Sequence, residues 1–125
     1  MTGRYTLRPK QKAGRLMDSI HETRIDSASR DAFRALAAAQ GLSMRAALAQ
    51  LLEQHAVIRE PIRPIGKKPW GVEAIGERER YTATLPAFEV APAVGLALLI
   101  DANRAGVRLT EAMRQLVWRC VQSGR

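Results

Sequence analysis

Two stretches decide the fold: residues 41–55, GLSMRAALAQLLEQH, and residues 106–120, GVRLTEAMRQLVWRC. Laid over one another at an offset of 65, they place Met44, Leu48, Leu51, Leu52 and His55 on Leu109, Met113, Leu116, Val117 and Cys120, and Ala47 on Ala112. Both sets follow the i, i+4, i+7, i+8, i+11 spacing of an amphipathic helix about three turns long. Each stretch opens on a Gly able to take φ > 0 at the end of an earlier helix, and each has a hydroxyl at its start to cap it, Ser43 and Thr110. Glu111 adds a carboxylate in the first turn of the second copy, where the helix dipole favours it.

Working outward, a further helix precedes each Gly. Asp26 or Ser27 can cap one that runs to about Gln40 with Phe33, Leu36 and Ala37 inward, and Pro92 suits the first turn of another over the apolar stretch Ala93–Ala105. The offset weakens here, because Leu36 falls on Asp101. A short strand comes before each pair. In HETRID, Thr23 and Ile25 share one face and Glu22 and Arg24 the other; in RYTATLP, Tyr81, Ala83 and Leu85 oppose Arg80, Thr82 and Thr84. Ala87–Val90 is a competing strand, since Val90 lies as far before Gly106 as Ile25 before Gly41. Arg80–Leu85 is preferred, because the other choice turns the carboxylate of Glu89 outward.

The chain thus divides into a basic flexible tail (1–19), a first strand-helix-helix unit (20–58), a Pro/Gly-rich linker (59–79) and a second unit (80–125). Pro61, Pro64 and Pro69 with Gly66, Gly71 and Gly76 forbid a long helix in the linker, while Ile62, Ile65 and Trp70 are apolar enough for part of it to lie on a folded unit. With one Cys among 125 residues there is no internal disulfide and no zinc-ligand spacing, so burial must hold the fold. No apolar run reaches the ~20 residues of a membrane span, and the basic start does not lead into a secretory signal, so the expected location is cytoplasmic without membrane insertion.

The net charge of +8 points to a polyanionic partner. It is unevenly spread: five basic residues (Arg4, Arg8, Lys10, Lys12, Arg15) stand against Asp18 in the tail, whereas residues 20–58 balance four against four. No nucleophile-base spacing, P-loop or dinucleotide fingerprint is present, so neither an enzyme nor a cofactor is expected. Cys120 sits on an apolar stripe and reads as a structural thiol, His55 as a helix-end residue, His21 as a surface residue, and Trp118 as core-edge packing.

Strand, helix, Gly turn and helix, twice over, resembles the ribbon-helix-helix family of the MetJ, Arc and CopG type of DNA-binding proteins. The carrying residues are Thr23–Asp26, Leu36–Leu48 and Gly106–Arg114, and the resemblance covers about two-thirds of the chain. The implied fold is mainly α with a short two-stranded antiparallel ribbon, the two units forming a pseudo-dimer within one chain. One unit alone leaves a strand edge unpaired and buries too little to stand; pairing two satisfies both edges. Covalent linkage then removes the concentration dependence of assembly and the need for identical half-sites.

By the same resemblance the ribbon enters the major groove of double-stranded DNA, with Glu22, Arg24, Arg80, Thr82 and Thr84 toward the bases. Ser43, Met44 and Arg45, and Arg108, Leu109 and Thr110, place helix N-termini on phosphates. The basic tail adds salt-sensitive attraction. Tandem chains of this type resemble TraY-like relaxosome components and the T-DNA transfer accessory protein of Ti plasmids, which implies plasmid or conjugative transfer, a transfer origin as target, a relaxase or other transfer protein as partner, and further association on DNA. A transcriptional repressor or copy-control regulator is the alternative. An antitoxin or protein-docking module is disfavoured, because Gly124-Arg125 follow the last helix directly.

Overall fold

The computed structural model describes residues 17–65 and 80–124. The tail residues Arg4, Arg8, Lys10, Lys12 and Arg15, and Trp70 in the linker, lie outside the described residues. The element order is β1 (Asp18–Ile20), β2 (Thr23–Ile25), α1 (Ser27–Ala39), α2 (Met44–Ile58), β3 (Ala83–Leu85), β4 (Phe88–Val90), α3 (Pro92–Ala105) and α4 (Leu109–Ser123). The 65-residue offset carries β1 onto β3, β2 onto β4 and α2 onto α4 residue for residue, and the start of α1 onto the start of α3. The repeat therefore holds further upstream than the sequence suggested.

The turns show why. Gly41 and Gly106 take φ of 74° and 72°. Leu42 N–H returns to the Ala37 carbonyl at 2.9 Å and Gly41 N–H to Ala38 at 3.0 Å; Val107 returns to Ala102 at 3.0 Å and Gly106 to Asn103 at 3.1 Å. These bonds satisfy the last carbonyls of α1 and α3 in the same left-handed cap. At the helix starts the two halves diverge. Asp26 caps α1 by accepting from Ser29 N–H at 3.0 Å, and Ser43 caps α2 by accepting from Ala46 N–H at 3.1 Å. Pro92 opens α3 in place of a side-chain cap, and the cap residue of α4 is Arg108, which makes no side-chain cap bond. Thr110 is thus not a cap: it lies one residue inside α4, and its Oγ1 is buried without a protein partner.

Each strand pairs with a strand of the other half. β1 runs antiparallel to β4 (Asp18 with Val90, Ser19 with Glu89, Ile20 with Phe88), and β2 to β3 (Thr23 with Leu85, Arg24 with Thr84, Ile25 with Ala83). From Ile20–Phe88 to Thr23–Leu85 both strands advance by three residues, so the two ladders form one ribbon without an inserted residue. His21 and Glu22 leave the ladder opposite Pro86 and Ala87, as expected where a proline lacks its N–H. The interruption shifts the alternation by one, so Ile20, Thr23, Ile25, Ala83, Leu85, Phe88 and Val90 are all buried.

The strand in the second unit therefore differs from the expected Arg80–Leu85. Its first segment begins at Ala83, leaving Arg80 and Thr82 before the ladder, and its second segment, Phe88–Val90, falls within the competing Ala87–Val90. The first unit likewise begins at Asp18, inside the stretch read as tail.

The helices close over one side of this ribbon, again across the halves: α1 lies on β3 and α4, α3 on β1 and α2, α2 on β4, and α4 on β2. The core is assembled from repeat pairs: Ile25 and Val90, Leu48 and Met113, Leu52 and Val117 are fully buried, as are Leu85 and Leu98, whose counterparts Ile20 and Phe33 are nearly so. Ile62 is buried as well. The side chain of Gln115 fixes that segment by accepting from Arg63 N–H and donating to Arg63 carbonyl, both at 2.8 Å. No helix among the described residues is long and apolar enough to cross a membrane.

Candidate nucleic-acid interface

The alternation that buries one face of the ribbon turns Ser19, Arg24, Thr84 and Glu89 to the other. They form two cross-strand pairs, Arg24 opposite Thr84 at one end and Ser19 opposite Glu89 at the other. Exposed His21 and Glu22 lie at the interruption between them. Of the five residues expected to face bases, Arg24 and Thr84 share the outward face, Glu22 sits at its centre, and exposed Thr82 precedes β3. Arg80 stands apart, its guanidinium 5.0 Å from the centroid of the Tyr81 ring.

A cluster from the second half supports the Arg24 end. Arg24 Nη1 donates to the Tyr81 carbonyl at 3.3 Å, while Arg114 Nη1 donates to the Arg24 carbonyl at 2.9 Å. The Arg114 guanidinium is buried, donates from Nε to Glu111 at 3.1 Å and lies 4.4 Å from the centroid of the Tyr81 ring. Trp118 packs at a tilt on Tyr81, with centroids 6.3 Å apart, and donates from Nε1 to Asp26 at 2.9 Å. Burial pushes the Asp26 carboxyl upward, but the hydrogen bonds from Trp118 and Ser29 outweigh it and hold the group below the usual carboxylate range.

The helix starts expected on phosphates differ in exposure. At α2, Ser43 and Arg45 are exposed and Met44 half-buried, and Arg45 Nε donates to the Ala87 carbonyl at 3.0 Å, tying the helix start to the ribbon interruption. At α4, Arg108 is exposed while Leu109 and Thr110 are half-buried. The preferred strand placement leaves out Glu89, to which the spacing of Val90 from Gly106 pointed, and Ser19 falls in the stretch read as tail.

A second polar constellation lies away from the ribbon. Asp101, buried on α3, accepts from Arg59 Nε at 2.8 Å and Nη2 at 2.7 Å, and meets His55 Nε2 at 2.8 Å. The paired hydrogen bonds from Arg59, joined by that of His55, hold the Asp101 carboxyl at about 2 against the opposing effect of burial. Arg59 ends α2 in the left-handed conformation, φ 57°. The repeat carries Asp101, His55 and Arg59 onto Leu36, Cys120 and Gly124. There the side chains leave a cleft of about 1000 Å³ between α1, α2 and α4, lined by Leu36, Leu51, Ile58 and Cys120 among others.

No protein-family model, curated protein or solved structure matches this chain. The functional reading therefore rests on these residues.

Proposed function

We propose that this chain is a ribbon-helix-helix pseudo-dimer that binds double-stranded DNA, laying the ribbon of residues 18–25 and 83–90 in the major groove. The observation that carries the reading is the pairing of β1 with β4 and β2 with β3, with helices of each half packed on the strands of the other. Such a two-stranded ribbon has the width the major groove admits, and its free face carries Arg24 and Thr84, which can hydrogen-bond base edges. The exposed starts of α2 and α4 offer backbone N–H groups and Arg45 and Arg108 to phosphates. The tail supplies five further cations, and the excess charge gives attraction without sequence preference.

Two non-identical halves in one chain favour a role as an accessory protein of plasmid or conjugative DNA transfer, marking a transfer origin for a relaxase, over a repressor built from identical subunits. Fluorescence anisotropy on duplexes flanking the gene, followed by footprinting, tests both levels. Salt-sensitive binding with protection beside a nick site supports the transfer role; protection over a promoter replaces it with repression; absence of duplex binding at low salt ends the DNA reading. Deleting residues 1–15 is expected to reduce the slope of log affinity against log salt by up to about four, with sequence preference retained.

A further inference from the structure

We infer that the ribbon reads base sequence from one end only: Arg24, with Thr84 opposite, specifies one half-site, and the Ser19/Glu89 end is held by phosphate contacts without specifying the other. This rests on the duplex-binding reading above. Although the backbone repeats with an offset of 65, the outward side chains do not: Arg24 corresponds to Glu89, and Thr84 to Ser19. The free face is therefore polar along its length, with a guanidinium at one end and a carboxylate at the other.

The supporting groups are equally one-sided. Arg24 is held through its side chain by the Tyr81 carbonyl and through its own carbonyl by buried Arg114. The Arg114–Tyr81–Trp118 cluster beneath it is tied to Asp26. At the other end the repeat places Ala49 for Arg114 and Glu53 for Trp118, neither of which can build that support. A guanidinium fixed in this way can meet O6 and N7 of a guanine together, with discrimination of about 5- to 150-fold. Precise readout requires such a supporting layer around the reading side chain. Glu89 brings a carboxylate toward a phosphate-lined groove, where it weakens binding to any sequence. Arg45, which bonds the Ala87 carbonyl two residues from Glu89, supplies a cation at that end that can meet phosphate.

The test is selection of bound duplexes from a randomised pool by the full chain and by Arg24→Ala, Arg24→Lys, Thr84→Ala and Glu89→Gln. The wild type is expected to select a site with sequence information in one half and a guanine at its centre. Arg24→Ala is expected to lose that guanine, and Arg24→Lys to keep affinity while discriminating less. Glu89→Gln is expected to leave the consensus intact and tighten binding severalfold at low salt. Equal information in both half-sites, or loss of the preference on changing Glu89 rather than Arg24, overturns the inference while leaving DNA binding in place. No duplex retained by the wild type at low salt overturns DNA binding itself. Should Arg24→Ala unfold, Arg24→Lys and Thr84→Ala carry the same decision.

Discussion

The cluster around Asp101 and the surroundings of Leu36 occupy equivalent places in the repeat and are built by opposite means. On one side a buried carboxylate gathers His55 from the end of α2 and Arg59 from just beyond it, so α2 and α3 are joined by three short hydrogen bonds. On the other, Leu36 faces a helix end carrying Cys120 and Gly124, and open space remains. The same backbone thus tolerates either an ionic or an apolar solution. What differs is dependence on partners: a leucine needs only neighbours, whereas a buried carboxylate needs every one of its donors.

The largest expected effect comes from breaking the ionic side alone. Asp101→Ala strands buried His55 and leaves Arg59 in a left-handed conformation without its anchor, and should cost about 3 kcal/mol in denaturant unfolding. Copying the apolar side instead, with Asp101→Leu, His55→Cys and Arg59→Gly together, should restore most of that loss. A triple variant no more stable than Asp101→Ala would show that the two places are not equivalent.

Acid titration sharpens the same contrast. Because the folded Asp101 carboxyl is held at about 2, below its ordinary value of 3.8, its contribution is complete above the unfolded value and is lost as pH falls through the folded one. Wild-type melting temperature is expected to drop between about pH 4 and pH 2 more steeply than that of the triple variant, which lacks the group. Parallel slopes would assign acid sensitivity elsewhere, to Asp26 first. The smallest effect is a control on the backbone itself. Gly41→Ala and Gly106→Ala each place a Cβ at φ above 70°, with nothing within 4 Å to clash, so each should cost about 1 kcal/mol, and the two by the same amount.

Much of this architecture is legible in the residues. The Gly turns, the caps at Asp26 and Ser43, the first turn at Pro92 and the apolar stripes of α2 and α4 follow from local chemistry, which acts over a few residues. Strand placement in the second unit was legible only by spacing. Pro86 argues against a strand through it, and Glu89 against a basic reading face, yet the ladder simply skips the proline and resumes with Glu89 outward. Thr110 misled because a hydroxyl beside a helix start resembles a cap, although Arg108 occupies that position. Asp101 looked like a flaw in the repeat, since nothing in an apolar helix names an Arg 42 residues away as its partner. On the candidate interface, Arg24 and Thr84 were legible from strand alternation, while Ser19 and Glu89 required the pairing register.

The crossing of the two halves also governs how the molecule is made. Every ladder contact joins residues more than about fifty positions apart, so little of the ribbon can form until the last third of the chain has been synthesised. During that interval the first half presents an unpaired strand and an uncovered apolar face, and the matching half of a neighbouring nascent chain satisfies both equally well. A covalent join between the halves raises the effective concentration of the proper partner, which favours closure within one chain over exchange with a neighbour.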